Sequence, residues 1–264
     1  MYASASQTPA VARLPEYFAQ NGYRNPGNAF QGPWQFAQRT DKHYFDWLAE
    51  RPSLQNAFNT TMGISRMGQA DWFDFYPVEE KLKVTSPTDT ILVDIGGGVG
   101  HDVIAFRNKF PTIPGKLIFE DLPSVVESGS ANGLLQGIEG IEGIGHDFFQ
   151  PQPAAVKGAK FYYLRTVLHD WPDQQARIII RNIRDVMSED SILLLNENAL
   201  PAEGISLYQA QLDMSMMTCF SSLDRTEKQF RELVESEGFV LAQSYNPQVM
   251  IPGAGTLLEF VFAK

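Results

Sequence analysis

The stretch Ile91-Leu92-Val93-Asp94-Ile95-Gly96-Gly97-Gly98-Val99-Gly100 decides how the chain reads. Its first half is a short apolar run that reaches an acid, the pattern of a strand buried on both faces. Its second half is rich in glycine and opens onto an amphipathic stretch at 101–110 that fits a helix. Glycine is needed where a turn is tight and where backbone must approach a ligand closely. A glycine turn can also do no more than pack helix against strand, so the motif by itself leaves both readings open. Two details narrow the ligand. No Gly-Lys-Ser/Thr follows, which excludes a P-loop. An acid precedes the glycines in Asp-x-Gly-Gly-Gly-x-Gly, unlike the dinucleotide fingerprint. It would repel a pyrophosphate and suits a cationic ligand that carries no phosphate.

Outward from this turn, short apolar runs alternate with amphipathic stretches. The pattern predicts strands at 90–95, 116–120, 141–145, 160–164, 191–196, 239–243 and 257–262, with helices at 101–110, 122–128, 173–187 and 226–237. Strands alternating with helices make an α/β fold, a mostly parallel seven-stranded sheet with helices on both faces. No helix separates the last two strands, only a segment holding Pro247 and Pro252. A hairpin there predicts one antiparallel strand at the sheet edge. The Gly-Ile-Glu repeat at 137–145 is too short for a solenoid and reads as a loop feeding a strand.

Residues 1–85 carry no convincing strand. Tyr44, Phe45 and Leu48 share one helical face, and Leu54, Phe58 and Met62 recur at intervals of four. Pro26, Pro33, Pro52 and Pro77 break the segment into short helices. The expected organisation is therefore a helical lead-in over 1–85 and the α/β domain over 86–264.

Composition sets limits on partners. The 264 residues include 31 Asp and Glu against 21 Lys and Arg, a formal charge of −10 with no basic cluster. Such a surface disfavours nucleic acid and anionic membranes. The single cysteine, Cys219, excludes an internal disulfide and a cysteine zinc cluster, and its apolar surroundings make it a small core residue. The first residues lack the basic and apolar regions of a signal peptide, and no apolar run nears the roughly 18 residues of a membrane span. A cytoplasmic protein is the expectation.

Chemistry-bearing residues gather at strand ends. The second strand closes on Glu120 and Asp121, the third on His146-Asp147-Phe148-Phe149, and the fourth on a segment running from Arg165 to His169-Asp170-Trp171. Open α/β sheets bind ligands at this carboxyl edge. Each residue also has a plainer reading: a solvated loop carboxylate for the acids, a cap of the following helix for His169. His43, His101 and His146 show no metal spacing and read as structural or as neighbours of the ligand.

Taken in order, Asp94-Ile95-Gly96-Gly97-Gly98-Val99-Gly100, Asp121-Leu122-Pro123, His146-Asp147-Phe148-Phe149 and Leu168-His169-Asp170-Trp171 resemble the class I S-adenosylmethionine-dependent O-methyltransferases. The likeness is to the plant caffeate and flavonoid and fungal secondary-metabolite type, and runs over about residues 14–264. It implies a Rossmann-like domain preceded by helices, with S-adenosyl-L-methionine as cofactor and S-adenosyl-L-homocysteine as product. Asp94, Gly96, Gly97, Gly98 and Gly100 would line the methionine part of the cofactor. Asp121 would hold the ribose, and Leu122 and Phe148 would flank the adenine. Asp147 would accept from the adenine amino group, and Arg165 would sit near the cofactor. His169 resembles the general base that deprotonates a hydroxyl, oriented by Glu197 and Asp224. The plant-type pattern has glutamate at the latter position, so Asp224 is one methylene short; it could equally cap the helix near Thr226.

The acceptor, a small phenolic or polyketide-like molecule, would meet Phe58, Met62, Trp72, Met216, Met217 and Phe220 from the lead-in and the loop before Asp224. Ordinary core packing is the competing reading for each. The resemblance also implies that the chain starts after the winged-helix-like domain through which such enzymes dimerise. A dimer of that type is then not expected, and an exposed apolar patch on the lead-in is. Alternatives to methyl transfer are a pericyclase or isomerase that keeps the cofactor site, a non-catalytic subunit and, more distantly, a nicotinamide dehydrogenase.

Overall fold

The computed structural model describes residues 7–65, 67–82, 86–131, 133–134, 138–249 and 254–263. Gly137 of the short repeat and Pro252 of the hairpin segment lie outside them. Seven strands form one sheet among the described residues: β1 (Thr90–Ile95), β2 (Lys116–Asp121), β3 (Ile141–Gly145), β4 (Phe161–Arg165), β5 (Ile192–Glu197), β6 (Phe239–Tyr245) and β7 (Thr256–Phe262). Their order is β3-β2-β1-β4-β5-β7-β6. The pairs from β3 across to β5 are parallel, and β7 runs antiparallel to both β5 and β6. The antiparallel strand is therefore interior, not at the edge as the hairpin suggested. Thr256 to Phe260 are all buried, whereas exposed residues interrupt β6, so β6 tolerates the edge and β7 does not. The chain leaves β1 toward β2 and β3, then returns to β4 on the other side of β1. That reversal is the switch point beside which open α/β sheets bind ligands.

The chain divides into two compact units. A sheet unit comprises Ala70–Val167, Arg177–Glu197 and Phe230–Lys264; a helical unit comprises Met1–Gln69, Leu168–Ala176 and Asn198–Gln229. In the sheet unit, Leu92, Val103, Phe106, Phe119, Phe161, Tyr163 and Leu194 share a buried cluster with Trp72, Phe73, Tyr76 and Val78. Residues from 70 onward, counted with the lead-in on sequence, thus help to build the sheet unit's core. Trp72 is 1% exposed and stacks on Phe106 and Tyr163, with ring centroids 5.7 and 5.2 Å away. Packing accounts for it, and the expectation that it lines an acceptor pocket gives way to the core reading.

The helical unit holds the expected short helices, Thr8–Ala12, Leu14–Gln20, Pro33–Gln38, Tyr44–Ala49 and Pro52–Ser65. It also holds a helix over Leu207–Phe220, where a loop was expected. Ser206 and Gln209 start it with a capping box: each side chain accepts the other's backbone N–H. Apolar residues lie all round this helix, with Leu207 and Met214 exposed and Met216, Cys219 and Phe220 buried, so no single stripe betrays it. The buried three pack with Ala10, Trp34, Tyr44 and Leu48. Cys219 is a core residue as expected, and burial pushes its thiol up to about 12. No helix among the described residues is long and apolar enough to cross a membrane.

One core acid is sensitive to pH. Glu120 on β2 is 2% exposed, and burial raises its carboxyl pKa to about 8 despite the Gln152 amide, which turns its nitrogen to within 2.8 Å of Oε2. A folded pKa above the unfolded one means the unfolded state gives up the proton first. Stability from this group is therefore complete below the ordinary carboxylate range and is lost as pH rises toward 8. Glu120→Gln keeps a neutral side chain and removes the titration. Thermal denaturation between pH 5 and pH 8 should show a flatter profile for the variant than for the parent; equal slopes would count against a protonated Glu120.

Candidate active site

The turn after β1 is held from below by backbone and from the side by an acid. Gly97 N–H donates to the Glu120 carbonyl at 2.9 Å, and Gly98 N–H donates to Asp121 Oδ2 at 2.8 Å. The other carboxylate oxygen of Asp121 accepts Leu122 N–H at 2.8 Å. Burial pushes the Asp121 carboxyl up, against the pull of these two donors. Gly96, Gly98 and Gly100 have φ of 73°, 62° and 89°, a region costly for other residues. Space sets a second demand. A Cβ on Gly96 would meet Val167 Cγ2 at 2.9 Å, and one on Gly97 would meet Asp94 Oδ2 at 2.6 Å. Above Gly98 there is open space within 4 Å, a floor of bare backbone with room for a ligand.

The neighbouring strand ends converge on this floor. A Cβ on Gly96 would also lie 3.8 Å from the Phe148 ring, which follows β3. Asp147 Oδ1 accepts Phe149 N–H at 3.0 Å, a local turn that fixes its carboxylate. Arg165, at the end of β4, donates to Asp102 Oδ1 at 3.3 Å. Burial alone would lower its pKa, but Asp102, Tyr163 and Asp94 outweigh that and raise it. Asp94, Gly96, Gly97, Gly98, Gly100, Asp121, Leu122, Asp147, Phe148 and Arg165 thus all belong to the sheet unit, at or just beyond its carboxyl edge. Bare glycine backbone, an acid for hydroxyls and a half-buried phenyl ring fit a nucleoside with a cationic tail.

Beyond Arg165 the backbone turns sharply. Thr166 has φ 48°, an unusual conformation for a β-branched residue, and its N–H donates to the Asn196 carbonyl. Val167 N–H then donates to Glu197 Oε1 at 3.1 Å. Glu197 is fully buried at the end of β5. In the helical unit, His169 Nδ1 lies 3.0 Å from Asp224 Oδ1. Asp224 is 3% exposed, so the short aspartate does reach the imidazole directly. A carboxylate at Nδ1 fixes the tautomer with the proton there and the lone pair on Nε2. That second nitrogen faces Asp170 Oδ1 at 3.6 Å.

Sequence reasoning missed the residues that support Asp224. Asp213 Oδ1 accepts the Asp224 N–H at 2.9 Å, from a helix that the periodicity did not reveal. The acceptor-pocket residues are less uniform. Met216 and Phe220 are core, Phe58 and Met217 are half-buried, and Met62 is 44% exposed. Phe45 bridges Phe58 and Phe220, with centroids at 5.7 and 5.4 Å. His43 is buried and stacked on Trp171 at 4.3 Å, and burial drops its pKa to about 3, which leaves it a neutral structural ring. No group of three metal-ligating side chains exists among the described residues.

The glycine turn makes a stability prediction. Gly96→Ala combines a left-handed backbone with a clash on Val167 and should cost at least ~1 to 2 kcal/mol in urea denaturation. Gly27→Ala, which meets nothing within 4 Å, should change little. Equal effects at the two positions would contradict the geometry.

Comparison with known proteins supplies the family. The profile of the O-methyltransferase domain family fits residues 81–240. Among curated relatives, methyltransferase cfoC of Aspergillus candidus is 35% identical over 95% of this chain and 61% of its own length. Demethylsterigmatocystin 6-O-methyltransferase of Aspergillus flavus is 34% identical over 89% and 59%. This chain thus spans about three-fifths of the length of these relatives. Among solved structures, LepI in complex with S-adenosylmethionine is 32% identical, with a TM-score of 0.88 over 99% of this chain and 66% of that one. A structure described as a pericyclic reaction enzyme gives the same figures. On the strength of the profile match and these identities, the chain belongs to the O-methyltransferase domain family.

Proposed function

We propose that this chain is the catalytic part of an S-adenosylmethionine-dependent O-methyltransferase acting on a hydroxyl of a small aromatic or polyketide-like metabolite. The observation that carries this reading is the pair of half-buried His169 and buried Asp224, with Nδ1 and the carboxylate at 3.0 Å, in a chain whose sheet unit has a bare glycine turn beside strand-end acids. The cofactor, when bound, supplies a methyl group activated on a sulfonium. The glycine turn, Asp121, Leu122, Asp147, Phe148 and Arg165 bind and orient it; the −10 charge of the chain suits a cation.

His169 does the acid–base work. Its Nε2 lone pair takes the proton of the acceptor hydroxyl, which makes the oxygen nucleophilic toward the methyl group the cofactor would supply. The ring becomes an imidazolium, which Asp224 at Nδ1 and Asp170 near Nε2 stabilise by charge. Glu197 accepts the Val167 N–H, the last backbone donor of the sheet unit before the chain enters the segment of His169. The half-buried Phe58 and Met217 suit a flat acceptor. The names of the relatives, O-methyltransferases of fungal metabolites, support the substrate class.

A second reading has a specific observation behind it, the likeness to the pericyclic reaction enzyme at TM-score 0.88. In that case His169 would polarise the substrate electrostatically and no group would be transferred. Incubation with methyl-labelled cofactor and a panel of phenols separates the two. Methyl transfer predicts a labelled product, with kcat lowered about 10²- to 10⁴-fold in His169→Ala. A product of unchanged mass would favour isomerisation, and undiminished transfer by the variant would remove His169 as the base.

A further inference from the structure

The segment that carries His169 is short and irregular. A single turn of 3-10 helix over Leu168–Asp170 leads into the helix Asp173–Arg184. Within the turn the Leu168 carbonyl accepts the Trp171 N–H at 3.2 Å, and little else of its backbone is paired locally, so side-chain donors must do much of the holding. Arg225 supplies those donors. Its Nη1 donates to the Leu168 carbonyl at 2.7 Å, and its Nη2 donates to the Trp171 carbonyl at 2.8 Å. Nε and Nη2 both reach Asp173 Oδ1, at 3.1 and 2.8 Å. The guanidinium therefore grips the segment on both sides of His169 and at the start of the next helix.

Arg225 is 1% exposed, among the most deeply buried large side chains in the protein. A buried charge is costly unless every donor is used, and this one is spent on two carbonyls and a carboxylate. Only the planar five-donor fork of arginine spans three acceptors at once. Its own backbone is tied as well, because the Arg225 carbonyl accepts Leu200 N–H at 2.9 Å. The residue before it is Asp224, which holds the imidazole and is anchored by Asp213. On the far side of the segment, Trp171 stacks on the neutral His43 ring at 4.3 Å.

The geometry points to Arg225 as the positioning residue for the base: the Asp224-Arg225 dipeptide sets the ring with one side chain and the backbone that carries the ring with the next. The inference rests on the reading of His169 as the base, and adds that its placement depends on a guanidinium in no contact with the reacting atoms. A displacement of the base by about 1 Å is enough to cost about 10²-fold in rate.

Arg225→Lys tests this in the full chain, with Arg225→Ala plus added methylguanidinium as a second arm. The account expects kcat to fall about ten- to hundredfold in Arg225→Lys, with the KM for the cofactor and the affinity for S-adenosylhomocysteine within about twofold. Methylguanidinium should restore part of kcat to Arg225→Ala, and the His169 ring resonances should shift in the nuclear magnetic resonance spectrum of Arg225→Lys. Unchanged kcat and unchanged resonances would overturn the proposal. So would a loss of kcat matched by an equal loss of cofactor affinity and thermal stability, which marks a purely structural residue. If the parent chain transfers no methyl group, the resonances still decide: a shift sustains the clamp while the base reading falls, and no shift removes the clamp.

Discussion

The rest of the structure depends on how the chain turns at the end of β1. Three glycines there adopt left-handed backbone, and two of the turn's N–H groups are committed to β2, one to the Glu120 carbonyl and one to the Asp121 carboxylate. The turn is thus tied to the next strand before any ligand arrives. Its tightness is enforced by neighbours, since Val167 and Asp94 leave no room for a side chain at Gly96 or Gly97. A turn tied in this way would not have to be ordered at the moment of binding, which on the proposed reading would lower the entropic cost of taking up a flexible nucleoside. The sheet's reversal at β1 and β4 then decides which other strand ends meet that floor.

The helical unit solves a different problem, that of keeping an imidazole in one tautomer within a poorly hydrated setting. A buried carboxylate facing Nδ1 does so electrostatically, and its worth is greatest where water is excluded. The arrangement carries its own cost, because Asp224, Asp213 and Arg225 are ionisable groups withdrawn from solvent to different degrees. Their hydrogen bonds to backbone and to one another offset it: Asp213 takes the Asp224 N–H, and Arg225 takes two carbonyls and Asp173. Asp224 Oδ2 is buried without a hydrogen-bond partner among the described residues, so the network leans on its remaining bonds and its members are interdependent.

Much of this was legible in the sequence where one physical signal dominated. Strands buried on both faces read as unbroken apolar runs, and β1, β4 and β5 fall within a residue of their expected positions. The glycine turn and the strand-end acids could be placed because glycine and carboxylate have few other uses at such points. What escaped was decided by tertiary contacts. The helix Leu207–Phe220 buries residues at one end and exposes them at the other, so its periodicity cancels, although Ser206 and Gln209 spell a capping box. The interior position of β7 depends on pairing with two strands at once, and neither β5 nor β6 announces it. Trp72 looked like pocket lining because an aromatic residue in a helical segment serves core and ligand equally well. The role of Arg225 escaped, although the Arg225-Thr226 pair served to locate Asp224, since the three acceptors it joins lie more than fifty residues away in the chain.

The central claim is that the turn from Gly96 to Gly100, with Asp121 and Leu122, is the cradle of a nucleoside cofactor. Hydrogen–deuterium exchange with and without S-adenosylhomocysteine addresses it most directly, because it reads the backbone amides of that turn one segment at a time. The account predicts slower exchange over residues 95–101 and 120–123 when the nucleoside is added, with little change in β6 and β7. Unaltered exchange in the turn at saturating nucleoside, or protection confined to other segments, would contradict it.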